Sequence, residues 1–152
     1  MTRLLGIDLG DRRIGLAIAD VPDGPVTPYR TMARAATVEG DADALRAIVA
    51  SESVDEVILG LPLHFGGSEG HQAAVTRSWG ETIAAALDVP VHLRDERLTS
   101  ERAADRMGPM KRGRSGGPPT TTQRRAYRAR LDREAAAMIL RDELEARAGR
   151  HE

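Results

Sequence analysis

The stretch from Arg3 to Ala19 constrains this chain more than any other. Two apolar runs, Arg3 to Leu9 and Arg13 to Ala19, are separated only by Gly10-Asp11-Arg12. Isoleucine, leucine and alternating small residues on both sides of so short a turn predict an antiparallel hairpin. Within the first run, the sequence G-I-D-L-G sets a carboxylate, Asp8, among Leu, Ile and Gly. A lone acid in an apolar strand is costly to bury unless it is paired or holds a cation. Gly6 and Gly10 flank it two residues away on the same face, and the space they leave is expected to admit a metal or a phosphate. A strand-end acid that merely caps the hairpin turn is the bland alternative.

A third strand is expected over Val26 to Met32, after the turn at Pro22 to Pro25. Residues Val38 to Ala50 put Val38, Ala42, Leu45, Ile48 and Val49 on one helical face. Val54 to Leu61 ends in a continuous apolar run, as expected of a central strand buried on both sides. A Gly-rich loop follows from Pro62 to Gly70, then a helix over about Gln72 to Leu87 and a short strand over Pro90 to Arg94. Thr99 is a suitable N-cap for a short helix reaching Met107. The segment GPMKRGRSGGPPTTT, residues Gly108 to Thr122, reads as a mobile basic loop. The last helix is expected from Gln123 to about Ala148. This order predicts one α/β domain over residues 1–150. Its sheet is mixed and five-stranded, antiparallel in the first three strands, with a parallel, right-handed strand–helix–strand unit later and helices on its faces.

At 152 residues the chain can bury a core without staples, and it has no cysteine. A disulfide framework and any thiolate metal site are thereby excluded. No apolar run approaches the roughly 18–20 residues that span a bilayer, and the N-terminus does not read as a signal peptide, so a cytoplasmic protein with no membrane partner is expected. The net charge is −1, but it is unevenly spread. From Arg97 to Arg130 there are ten basic residues against two acidic ones, a local charge of +8, while the remainder carries −9. A concentrated basic segment can bind a polyanion whatever the total charge. An Arg-rich solvated helix and loop would look the same, so charge alone decides nothing.

Two further acids join Asp8 as candidates. Glu96 stands in R-D-E-R-L-T-S just after the fifth expected strand, where ligands of open parallel sheets gather. Asp95 and Glu96 alternate in direction, so only one of them can face the same cleft as Asp8. Asp132, in R-A-R-L-D-R-E-A-A-A-M-I-L, shares a helical stripe with Ala135, Ala136 and Ile139 and is expected to face inward. An intrahelical ion pair with Arg128 is its ordinary alternative. Three oxygen ligands from two strand positions and one helix suit a magnesium or manganese site, with two ions activating water and stabilising the leaving oxygen. Zinc is not expected, because the four histidines lack a paired spacing with a carboxylate.

The segments GIDLGDRRIGLAIAD, ILGLPL, RDERLTS and LDREAAAMIL, in this order and spacing, resemble the YqgF (RuvX) family. These are ribonuclease-H-like bacterial proteins related to the RuvC-type Holliday-junction resolvases and described as pre-16S rRNA nucleases. The likeness covers nearly the whole chain; any one motif is weak, but four in sequence are specific. It implies a ribonuclease-H-like fold, with Asp8, Glu96 and Asp132 at the family's acidic catalytic and metal-binding positions. It implies a metal-dependent endonuclease acting at the 5′ end of the 16S rRNA precursor, with resolution of branched DNA as the competing assignment. The loop after GLPL, commonly Asn-Met-Asp-Gly in the family, is His64-Phe65-Gly66-Gly67 here, which puts a substrate role for that loop in doubt. Arg130 stands where the family usually has Lys, and a phosphate contact is implied there.

Arg97, Lys111, Arg112, Arg114 and Arg130 are the expected substrate contacts, since such side chains neutralise phosphates irrespective of base sequence. Thr99 and Ser100 either orient Glu96 or cap the helix. With only Tyr29, Phe65, Trp79 and Tyr127 as aromatics, recognition by shape and backbone is expected over a stacking platform, which favours structured RNA or branched DNA. A homodimer would suit a symmetric junction. Two rival classes remain at this stage. Actin-like ATPases also open on D-x-G in a hairpin, but they need a second lobe for which this chain is too short. A non-catalytic nucleic-acid-binding module gains nothing from burying acids beside phosphates.

Overall fold

The computed structural model describes residues 1–63, 70–96, 99–113 and 116–150, with the backbone only at Thr99 and Ser100. The hairpin predicted from the first apolar runs is present: β1 (Thr2–Leu9) pairs antiparallel with β2 (Arg13–Val21) across the turn, with Asp8 opposite Gly15. Next come β3 (Val26–Ala33), α1 (Val38–Ser51), β4 (Glu56–Pro62), α2 (His71–Ala86), β5 (Val91–Glu96), α3 (Thr99–Met107) and α4 (Thr121–Gly149). Strand order in the sheet is β3-β2-β1-β4-β5. β2 and β3 are antiparallel, whereas β1, β4 and β5 run parallel, so this is the mixed five-stranded sheet expected from the sequence. β5 extends further than its expected end at Arg94, and Glu96 is its last residue rather than the start of the following loop.

The period of two along β1 divides its side chains between two cores. Leu5, Ile7 and Leu9 turn to the face covered by α1 and α2, where they meet Leu45, Ile48, Trp79 and Ile83. Leu4, two positions ahead of Gly6 on the other face, packs with Ala17, Ala19 and Ile58 under Ala136, Ile139 and Leu140 of α4. Both faces of the central strands are therefore dry, which is why β4 reads as an unbroken apolar run rather than an alternating one.

One acid serves this scaffold alone. Asp41, in the first turn of α1, is fully buried and accepts hydrogen bonds from Arg34 Nε (2.8 Å), the Ala35 amide (2.7 Å) and Trp79 Nε1 (3.1 Å). Both carboxylate oxygens that burial removes from water find donors, and the three contacts tie α1 to the segment after β3 and, through Trp79, to α2.

Candidate active site

Asp8 is the opposite case. It lies near the carboxyl end of β1 on the face covered by α4, half-buried, and among the described residues no donor hydrogen-bonds its carboxylate. Loss of hydration, with the negative charge of Asp132 as the second cause, pushes its pKa up to about 6. The space beside it is not what Gly6 and Gly10 were expected to leave. A Cβ at Gly6 would stand 2.6 Å from Leu140 Cγ and 2.8 Å from the Ala136 carbonyl, so α4 fills that gap. A Cβ at Gly10 would meet the carbonyl of Arg13 within the hairpin turn. These glycines admit a helix and a turn rather than a metal or a phosphate.

What brings the second acid to Asp8 is Gly15. Asp8 pairs with Gly15 across the hairpin, and a Cβ there would overlap the backbone carbonyl of Asp132. With no side chain at residue 15, α4 descends onto β2 at its Asp132 turn. Thr31 of β3 holds the same stretch by donating a hydrogen bond to the Ala129 carbonyl, and Arg133 Nη1 donates to Thr31 Oγ1 (3.4 Å). The partner of Asp132 is not Arg128 on its own helix but Arg13 on β2, whose Nε lies 2.6 Å from Oδ2. A cleft of about 250 Å³ lined by Gly10, Asp11, Arg12, Arg13 and Asp132 opens beside the pair.

Glu96 occupies the corresponding end of β5, opposite Pro62 of β4, and is 5% exposed while Asp95 points to solvent. It lies against α4, but lower along that helix than Asp132. Arg94 Nε is 3.6 Å from its Oε1 and Arg102 Nη1 is 3.5 Å from its Oε2. Arg102 also grips Asp142 of α4 with two hydrogen bonds of 2.7 and 2.8 Å. Burial raises the pKa of Asp142, but the Arg102 hydrogen bonds and a further one to Glu96 outweigh it, and the net direction is downward. Asp8 and Asp132 are thus brought together, and Glu96 is held in a separate ionic network on the same face. Among the described residues, no three acids or histidines stand close enough to share one ion.

The Asp8–Asp132 pair nevertheless has the character of a hard-cation site. It offers carboxylate oxygens, its members repel one another, and the guanidinium of Arg13 compensates only one of them. Of the expected phosphate contacts, Lys111 and Arg130 line one groove of about 400 Å³ between the 108–112 segment and the first turns of α4. Arg112 is exposed, with Nη1 3.5 Å from the Gly116 carbonyl. Arg97, Arg114 and the His64-Phe65-Gly66-Gly67 loop lie outside the described residues, as do the side chains of Thr99 and Ser100. Sequence reasoning missed Arg13, Gly15, Arg94 and Arg102. Only Arg13 carried a usable signal, as a cation directly after the turn that follows Asp8.

The comparisons with known proteins agree with this architecture. The family described as "RuvX: Holliday junction resolvase" matches residues 2–146. A protein of Anaeromyxobacter sp. (strain Fw109-5) named "Putative pre-16S rRNA nuclease" is 40% identical over 149 residues, covering 98% of each chain. One of the same name from Chloroflexus aggregans is 36% identical, covering 95% of this chain and 94% of its own. Among solved structures, Thermus thermophilus RuvC in complex with a Holliday junction substrate superposes with a TM-score of 0.57 over 97% of each chain. At 14% identity, that likeness speaks for the fold. With a matching mixed sheet, a paired acid at its carboxyl edge and a family match over nearly its full length, this chain belongs to the RuvX family of ribonuclease-H-like nucleases.

Proposed function

We propose that this protein is a magnesium- or manganese-dependent endonuclease, using two ions, that processes the 5′ end of the 16S rRNA precursor in the cytoplasm. The observation that carries the reading is the Asp8–Asp132 pair: two carboxylates of adjacent elements forced together, one of them without a hydrogen-bond donor among the described residues and with its pKa pushed up to about 6. Such an arrangement costs stability in a protein that holds no cation there, and a functional site is where that cost is expected. Asp8, Glu96 and Asp132 are the proposed ligands and catalytic acids. The bound ions would supply activation of water and neutralisation of charge at the scissile phosphate.

The chain's own groups supply the rest. Gly15 sets the approach of Asp132 to Asp8, and Arg13 compensates the Asp132 charge while no cation is bound. Glu96, buried at the end of β5 beside Arg94 and Arg102, would supply the third carboxylate. Lys111, Arg112, Arg114, Arg130 and Arg97 neutralise the phosphates that flank the cut. No helix among the described residues is long and apolar enough to cross a membrane.

The relatives' names favour the RNA substrate, and the family description favours a second reading, cleavage of a Holliday junction, for which a homodimer would suit the symmetry. One experiment separates them. Precursor rRNA, a linear duplex and a four-way junction are offered side by side with magnesium or manganese, and the cuts are mapped. Metal-dependent cleavage near the mature 5′ end is expected. Symmetric cuts in the junction alone would transfer the assignment to the resolvase, and no cleavage of any of the three would remove the nuclease reading.

A further inference from the structure

The groove that holds Lys111 and Arg130 has a wall no phosphate needs. Tyr127, Ala126 and Pro109 line it with apolar surface, and among the described residues no acid does. Its two sides are tied together at both ends. Tyr127 Oη donates to the Gly108 carbonyl (3.1 Å) at one end, and Gln123 Nε2 donates to the Arg112 carbonyl (2.8 Å) at the other. The tyrosine ring is therefore fixed by its own hydroxyl, half-buried, while Lys111 and Arg130 are exposed at the mouth. A helix rise of 1.5 Å per residue puts Tyr127 about 7.5 Å along α4 from Asp132.

An occupant must be flat and apolar in one part and anionic in another, and small enough for about 400 Å³. The geometry points to one unpaired nucleotide of the substrate strand, its base stacked against the Tyr127 ring and its phosphate on Lys111 and Arg130. Every base presents a π-face, so this site selects for an unpaired nucleotide rather than for a sequence. The inference rests on the nuclease reading and deepens it: a strand cut at the acids would be anchored a short distance away by a base that has left its helix. It also changes the recognition expected from the low aromatic content, because a single well-held ring is enough for a single-base pocket.

The test is a binding experiment in EDTA, where no cleavage can occur. A labelled oligonucleotide containing an unpaired stretch is titrated with the wild-type protein, with 2-aminopurine placed at each unpaired position in turn. One position, and not its neighbours, is expected to lose fluorescence on binding. A single abasic site at that position should weaken binding roughly 5- to 150-fold, the range found when a stacking aromatic is removed. Tyr127→Leu should weaken it as much, and the abasic site should cost Tyr127→Leu nothing further. Tyr127→Phe, which keeps the ring but loses its tether to the Gly108 carbonyl, should weaken it less than Tyr127→Leu does. Absence of a quenched position with the wild-type protein overturns the pocket, whether or not the leucine variant folds. So does a folded Tyr127→Leu that retains the full abasic penalty. Cleavage of the same oligonucleotide with manganese is scored separately. A quenched base without cleavage keeps the pocket and removes the nuclease reading, and cleavage without a quenched base does the reverse.

Discussion

Gly15 and Asp132 are in backbone contact: a methyl group on residue 15 would occupy the position of the Asp132 carbonyl oxygen. The obstacle is main chain in the middle of a helix, so no rotamer change can relieve it. Gly15→Ala should therefore lift α4 off the hairpin at this turn. The overpacking cost is about 1–3 kcal/mol, which for a domain of this size lowers Tm by roughly 2–12 °C. Activity measured well below that Tm should fall by far more than stability does, since Asp132 moves with the helix. A variant with the wild-type rate would show that the approach of the two acids is irrelevant to turnover.

Asp8 makes the metal-free protein pH-dependent in a stated direction. Its pKa in the folded chain is about 6 against an ordinary 3.8, so the folded state binds the proton more tightly than the unfolded chain does. Below about pH 4 the group is neutral in both states and contributes nothing. Between 4 and 6 it becomes destabilising, by at most about 3 kcal/mol above pH 6, because each pKa unit corresponds to about 1.4 kcal/mol. Asp8→Asn should consequently raise Tm at pH 8 in EDTA, leave it nearly unchanged at pH 4, and abolish cleavage. Thermal unfolding at the two pH values checks the first two outcomes; a variant less stable than wild type at pH 8 would count against a desolvated carboxylate.

The same proton competes with a cation. Manganese affinity measured by calorimetry should be constant above about pH 7 and fall close to tenfold per unit below 6, as one proton is displaced per site. Flat affinity from pH 5 to 8 would mean that Asp8 is not a ligand.

Arg13 already supplies one positive charge to Asp132, at 2.6 Å. Arg13→Gln removes that competitor and leaves the two carboxylates facing each other without it. The metal-free protein should become less stable at pH 8, by no more than about 1 kcal/mol because Arg13 is 40% exposed, while manganese binding tightens. Loss of both stability and metal affinity would instead make Arg13 a positioning residue for the site.

The basic segment is tested by salt. Each phosphate neutralised contributes a slope of about −0.7 to −0.9 in log K against log salt, depending on strandedness. Replacing Lys111, Arg112 and Arg114 together by Gln should weaken substrate binding and flatten that slope by about 2–3. An unchanged slope would remove the clamp.

Much of this molecule could be read before any coordinates. The period-two pattern of β1 and β2, the unbroken apolar run of β4 and the stripe on α4 are local properties of the chain. They set the five strands, the first hairpin and the inward face bearing Asp132, while the order β3-β2-β1-β4-β5 came from the structure. Asp8 stood out for an equally local reason, a charge among apolar neighbours that cannot hydrate it. Tertiary structure alone decided the rest. Arg13 and Asp132 meet across 119 residues, Arg102 and Asp142 across 40, and Gly15 matters only because a particular helix turn lands on it. Charged partners at such separations are chosen by how α4 crosses the sheet. That crossing depends on side-chain volumes summed over five strands, a quantity no short segment contains.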